Sequence, residues 1–345
     1  MRVMISYTNR LYYLIKPFIP RVLQIALRRR RVYIKRSLYK DIWPIDERAC
    51  KKPDGWAGWP DQKQFALILM HDVDTEKGQR KCRQLVQLDE QMGFRSLFSF
   101  VPEGYHVSRE LRQDIVKRGF EVGVHGLKHD GKLFQSRKKF QHHAIRINDY
   151  LRDWKSVGFV SPSMHHNLDW NHELNIEYDA STFDTDPFEP QPDGMTTIFP
   201  FFVHGTNGQR GYVELPYTLP QDFTLFVLMK EKNIDIWKKK LDWIADRGGM
   251  ALLITHPDYM NGNNGRRTLE EYPMELYKEF LDYVKCKYEG RYWNPLPKEM
   301  ARFWKENCKD DFAENNTINK PAVKSLHAET EDNKKILITS YNAEK

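Results

Sequence analysis

The chain has 345 residues, of which 40% are hydrophobic and 13% aromatic, and this composition supports a sizeable core and excludes global disorder. Its net charge of +7 is uneven, because residues 1–40 hold eleven Lys and Arg and no acid, which leaves residues 41–345 at −4. The four cysteines are scattered without a Cys-x-x-Cys pair. They exclude a zinc ribbon and a dense disulfide framework, and they favour a reducing compartment.

Residues 1–40 form a basic N-terminal arm. Charges and prolines interrupt its apolar stretch at residues 11–27, which is therefore too short to span a bilayer. The arginines at 28–31 are not a signal-peptide cleavage site, so we expect a cytoplasmic protein, or one at the inner membrane face. Two interpretations of the arm stay open: peripheral contact with an anionic membrane, and packing on the body of the protein, which we favour slightly. No recognition motif accompanies the arm, so no nucleic-acid partner is expected.

The remaining chain divides into three parts. Residues 41–63 are rich in Trp, Pro and Gly and are predicted to form an irregular connector. Residues 64–308 are predicted to form one domain in which apolar strands alternate with helices, a pattern typical of βα units around a parallel sheet or barrel. The clearest strands are predicted at 65–70, 96–101, 120–124 and 250–255, with weaker ones at 197–203 and 212–219. Helices are predicted at 76–92, 108–118, 136–154, 234–247, 268–287 and 297–307. Residues 309–345 are polar and predicted to be a flexible tail.

Three of the predicted strands end in side chains that can bind a metal or transfer a proton. Asp72 and Asp74 follow the first strand, His125 and His129 follow the third, and His256 follows the last. Because the carboxyl ends of parallel strands meet at one edge of a sheet or barrel, we expect these groups to lie together. A His-x3-His pair alone is a weak signal, but the aspartates at an equivalent strand end favour a site.

We predict that Asp74, His125 and His129 bind a divalent metal, with Zn²⁺ the best match to two imidazoles and a carboxylate. Asp72 is the predicted general base, since two residues along an extended strand place it on the same face as Asp74. The alternative is that both aspartates bind metal, or help Thr75 cap the next helix. His256 is the predicted general acid that protonates a departing amine or alkoxide.

These residues resemble the motifs of the polysaccharide deacetylases, a family of carbohydrate esterases. The resemblance covers residues 65–259 and consists of the paired aspartates, the His-x3-His pair, the segment Gly158-Phe159-Val160-Ser161-Pro162 and the strand that ends at His256. It implies an α/β fold, a distorted (β/α) barrel, and a carbohydrate substrate. It also implies an acid that orients His256, for which Asp222 is the candidate and Asp184 and Asp186 are rivals.

One position departs from the family pattern. Val160 occupies the place of an arginine that would orient the base, so another cation substitutes, or activity is weakened or lost. The sequence therefore predicts a metal-dependent hydrolase that removes acetyl groups from an N- or O-acetylated sugar or polysaccharide precursor. The alternatives are a C–N hydrolase of a cyclic or linear amide on the same fold, and a carbohydrate-binding relative without catalysis.

Overall fold

The computed structural model of the protein describes residues 19–205, 211–262 and 267–308. The predicted tail at 309–345 and the first 18 residues of the arm lie outside this part of the chain. Among the described residues, no helix combines the length and apolarity that crossing a bilayer requires.

A curled sheet of nine strands forms the centre of the fold, and nearly all of its pairs are parallel. Its strands are β1 (Phe65–Val73), β2 (Ser96–Phe100), β3 (Glu121–His125), β4 (Gly158–Val160), β5 (Tyr178–Asp179), β6 (Phe201–Val203), β7 (Tyr212–Glu214), β8 (Met250–Thr255) and β11 (Tyr292–Trp293). A separate two-stranded sheet contains β9 (Met260–Asn261) and β10 (Tyr272–Pro273). Helices separate many of these strands, so the predicted α/β class is confirmed.

The strand order runs from β1 through β2, β3, β4 and β5 to β7, and β8 pairs with the other side of β1. Isolated parallel bridges join Phe183 to Tyr217 and Leu219 to Leu253, so the chain after β7 reaches β8. The two long central strands, β1 and β8, are buried along their whole lengths. Apolar runs of this kind are typical of strands covered on both faces.

The helices are α1 (Arg21–Leu38), α2 (Glu76–Met92), α3 (Arg109–Lys117), α4 (Arg137–Trp154), α5 (Leu168–Asn171), α6 (Asp235–Arg247), α7 (Met274–Tyr288) and α8 (Pro297–Asn307). Local signals define several ends. Thr75 caps α2 by accepting a hydrogen bond from the Lys77 backbone, and Gly93 ends it in the left-handed conformation. Gly248 ends α6 in the same way. A π-helix, Phe223–Leu228, lies between β7 and α6 along the chain.

The described part of the arm packs against the body. Helix α1 contacts the π-helix, and the guanidinium of Arg29 donates hydrogen bonds of 3.0 Å to the carbonyl oxygens of Val227 and Leu269. Arg21 and Arg36 form ion pairs with Glu270 and Glu231. The connector contains two short 3₁₀ helices, Glu47–Cys50 and Pro60–Gln62.

Candidate metal centre and active site

The strand ends bring together three groups that could hold a metal ion. Asp74 follows the last residue of β1, His125 is the last residue of β3, and His129 lies four residues further along a loop. Oδ1 of Asp74 is 3.4 Å from Nε2 of His125 and 3.3 Å from Nε2 of His129. One ligand atom from each residue falls within 4.8 Å of the others, which is compact enough for all three to reach one ion.

The surroundings of these groups fit a bound cation. Oδ1 of Asp74 is buried and accepts no hydrogen bond within the described residues, a cost that a cation would offset. Nδ1 of His125 lies 3.1 Å from the carbonyl oxygen of Val160. Because a carbonyl only accepts, Nδ1 donates this hydrogen bond, which leaves Nε2, the atom that faces Asp74, as the one that could bind the ion. Withdrawal from water lowers the pKa of His129, which favours the neutral ring that metals bind.

Asp72 lies beside this group and is held by β2. The register of the sheet pairs Asp72 with Ser99, and the Ser99 hydroxyl donates a hydrogen bond of 2.5 Å to Oδ1 of Asp72. Oδ2 of Asp72 is 3.9 Å from Nδ1 of His125. The backbone of Val160 thus orients His125, a candidate metal ligand, while Ser99 orients the carboxylate for which the family pattern provides an arginine.

His256 follows β8 and is oriented by Asp222. Its Nδ1 donates a hydrogen bond of 2.7 Å to Oδ1 of Asp222, whose Oδ2 accepts from the His256 backbone at 2.8 Å and from the Tyr272 hydroxyl at 2.8 Å. Burial opposes protonation of the ring, but the Asp222 carboxylate outweighs it and, with Asp74 and Asp72, raises the pKa of His256 to about 10. A protonated His256 can donate a proton from Nε2.

The two rivals of Asp222 lie elsewhere. Asp184 forms a buried ion pair with Lys240 at 2.5 Å, and Oδ2 of Asp186 accepts a hydrogen bond of 2.9 Å from the Tyr217 hydroxyl. Neither forms a hydrogen bond or an ion pair with His256 among the described residues. Of Asp184, Asp186 and Asp222, only Asp222 is hydrogen-bonded to the imidazole in the described part of the chain.

Sequence reasoning missed Ser99, Tyr272 and Asp258. Asp258 accepts a hydrogen bond of 3.0 Å from the backbone of Asp74, and another from the Thr75 hydroxyl. Gly78 of α2 makes room for it, because a Cβ at that position would lie 2.2 Å from Oδ2 of Asp258. The signal for Asp258 was its place two residues after His256. No sequence signal pointed to Ser99 or Tyr272, because their contacts depend on the strand register and on packing between distant segments.

These groups line one cavity of about 1180 Å³. Asp72, Asp74, His125, His129 and His256 all lie on its wall, and so do residues of α1 and of the π-helix. The volume exceeds the range typical of small-molecule sites. The cavity therefore has room for a ligand larger than a typical small molecule beside the candidate site.

Neither a family model nor a curated protein sequence matches the chain significantly. Solved structures do match in fold. A structure assigned to the polysaccharide deacetylases from Mycobacterium smegmatis is 17% identical, with a TM-score of 0.55 over 78% of this chain and 99% of that one. Another so assigned, from Pseudomonas aeruginosa PAO1, is 15% identical, with a TM-score of 0.56 over 72% and 93%. Puue allantoinase is 14% identical, with a TM-score of 0.56 over 72% and 92%.

These comparisons confirm the predicted fold, the distorted (β/α) barrel of the polysaccharide deacetylases. Identities of this size establish a shared architecture, and a fold alone does not determine a reaction. The function therefore depends on the side chains of the cavity.

Proposed function

We propose that the protein is a metal-dependent hydrolase that removes acetyl groups from an N- or O-acetylated sugar or polysaccharide precursor. The observation that carries the proposal is the shared cavity of a candidate metal site, a carboxylate beside it and a buried imidazole–carboxylate pair. This combination supplies what acyl transfer to water needs: a proton acceptor, a proton donor and stabilisation of the developing oxyanion.

Each side chain has a role that follows from its contacts. Asp74, His125 and His129 would hold the cation, for which their donor set favours Zn²⁺, and the cation would supply Lewis-acid chemistry at the acyl group. Asp72 accepts a proton from the attacking water through Oδ2, because Oδ1 is occupied by Ser99. His256 protonates the leaving nitrogen or oxygen from Nε2, because Nδ1 is occupied by Asp222.

The test is to measure metal content and acetate release in the same preparations. Asp74→Ala should lose both, while Asp72→Asn should retain metal and lose acetate release. The matched control is Asp54→Ala, because Asp54 is an exposed acid of the connector and its loss should change neither quantity. Normal acetate release by metal-free Asp74→Ala protein would contradict the proposal.

The same preparations separate the two alternatives. A C–N hydrolase would open the ring of a cyclic amide such as allantoin and would release no acetate from N-acetylated oligosaccharides or O-acetylated glycans. A carbohydrate-binding relative without catalysis would bind zinc and oligosaccharide and turn over neither substrate. Ser99 beside Asp72 and Asp222 beside His256 favour a catalytic protein, because both proton-transferring groups are oriented.

We also propose that the outer side of α1 contacts an anionic membrane, which would place the protein at the inner membrane face. This side carries large exposed apolar residues, with Ile34 52% and Leu38 69% exposed, among arginines and lysines. Such a face suits binding in the membrane interface. Ile34→Ser/Leu38→Ser should reduce co-sedimentation with phosphatidylserine vesicles. Equal sedimentation of this variant and the native protein would overturn the membrane proposal.

A further inference from the structure

One wall of the cavity is formed by helix α1 and is strongly basic. Arg28, Arg31 and Lys35 line the cavity that also contains Asp74 and His256. Their spacing of three and four residues places them on one face of the helix. The cations of the arm therefore do not all face solvent, since several are turned toward the candidate active site.

These three cavity-lining cations form no ion pair among the described residues. Arg21, at the start of the helix, pairs with Glu270, and Lys35 donates a hydrogen bond to the carbonyl oxygen of Pro187. Arg28 and Arg31 form no ion pair within 4.0 Å among residues 19–205, 211–262 and 267–308. Arg28 is half-buried, and its guanidinium carbon lies 4.6 Å from the centre of the Phe223 ring, so stacking restrains the group while its N–H donors can still bind a ligand.

A continuous set of ring contacts connects Arg28 to the predicted general acid. The Phe223 ring lies 4.7 Å from that of Tyr259, which lies 5.3 Å from the imidazole of His256. Arg28 is thus separated from the reacting position by the width of two aromatic side chains. A substrate whose acyl group lies beside His256 could present a neighbouring substituent to Arg28.

One buried acid on this side of the cavity, Glu189, carries little charge with which to neutralise the arginines at neutral pH. Glu189 also lines the cavity. Burial, reinforced by the neighbouring Asp186, raises the pKa of Glu189 to about 8, so its carboxyl group is mostly protonated at pH 7. Asp72 and Asp74 lie at the metal end, and Glu270, near the start of α1, is paired with Arg21. The cavity is therefore acidic where the metal would bind and basic along α1.

We propose that Arg28 and Arg31 bind an anionic group of the substrate, a phosphate or a carboxylate carried near the acetylated position. The proposal rests on the deacetylase function above and specifies its substrate class. Guanidinium groups match phosphate and carboxylate geometry through paired hydrogen bonds. A neutral acetylated sugar would leave both arginines without a partner and would bind less tightly.

The test is a binding titration of the metal-loaded protein with N-acetylglucosamine, its 1-phosphate and inorganic phosphate. We expect the sugar phosphate to bind at least about tenfold more tightly than the neutral sugar, and more tightly than inorganic phosphate. In Arg28→Gln/Arg31→Gln this preference should fall about tenfold. Arg30→Gln is the matched control, because Arg30 lies on the same helix, is exposed and does not line the cavity. It should keep the preference.

Three results would overturn the assignment: equal affinity for sugar and sugar phosphate, an equal loss in Arg30→Gln, or displacement of the sugar phosphate by phosphatidylglycerol vesicles, which would assign the anion to a lipid headgroup. Measuring the unfolding temperatures of the variants would exclude a folding defect.

The titration needs no turnover, so its result is independent of acetate release. A charge preference without acetate release would contradict the deacetylase function alone, and acetate release without a charge preference would contradict only the anion site.

Discussion

The hydroxyl of Ser99 donates a hydrogen bond of 2.5 Å to the carboxylate of Asp72. Hydrogen bonds to charged groups contribute about 1.5–3 kcal/mol, and this one fixes the orientation of the predicted base. Ser99→Ala should therefore lower kcat roughly 10- to 100-fold without changing metal content. Ser99→Thr, which retains the hydroxyl, should recover much of the loss in acetate-release assays. Equal losses in both variants would show that the hydroxyl does not act through Asp72.

A second prediction concerns the pH dependence of the reaction. His256 must be protonated to donate, so activity is present below its pKa and is lost as the pH rises through it. Asp222 raises that pKa, and Asp222→Asn should move the loss of kcat/KM to lower pH by roughly one to two units. Tyr272→Phe is the control, because it removes a hydrogen bond but leaves the carboxylate charge. An unchanged pH profile in Asp222→Asn would mean that His256 is not the proton donor.

Zinc should stabilise the folded protein, because the three candidate ligands converge only after folding. At a free zinc concentration 100 times Kd, the gain is about 2.7 kcal/mol, which corresponds to roughly 5 °C in Tm. Thermal unfolding of metal-stripped protein with and without zinc measures it. His125→Ala should abolish the shift, while His106→Ala, at an exposed residue outside the cavity, should keep it. A full shift in His125→Ala would place the zinc elsewhere.

The buried pair of Lys240 and Asp184 makes a prediction about stability. Both side chains are almost fully buried, and Lys240 also donates a hydrogen bond of 2.5 Å to the carbonyl oxygen of Pro44. Lys240→Met leaves a buried acid without its partner and should lower the free energy of unfolding by about 3–5 kcal/mol. Urea unfolding should show a smaller loss in Lys240→Met/Asp184→Leu. A double variant less stable than the single one would contradict this account.

The sequence predicted the strands and helices well where local signals define them. Predicted bounds of 76–92 and 250–255 match α2 and β8, because Thr75 and Gly93 enclose the helix and glycines precede the buried strand. The middle of the chain was predicted less well. The strand expected at 212–219 ends at Glu214, and the rest of that segment joins the barrel through an isolated bridge at Leu219. The helix expected from 268 begins at Met274, because residues 272–273 form β10.

The candidate site could also be predicted from the sequence only in part. Asp72, Asp74, His125 and His256 could be placed together because strand ends meet at one edge of the sheet, whatever the details of packing. The choice of Asp222 over Asp184 required the resemblance to a family, and the contacts of both acids are seen only in the structure. Ser99 and Tyr272 depend on strand register and on packing between distant segments. No pattern in the basic arm indicated that α1 borders the cavity, since its contacts are with residues about 200 positions away.

The position of α1 separates recognition from reaction along the chain. The groups proposed to transfer protons and hold the metal lie in or just after strands of the barrel, whereas the arginines proposed to bind the substrate's anionic group belong to a helix that precedes the barrel. On the proposed assignment, substitutions of the cavity-facing arginines would change which substrates are accepted without altering the strands that position the candidate metal site. Because Ile25 and Val32 of α1 belong to the buried core, new specificity is better sought by substituting Arg28 and Arg31 than by removing the arm.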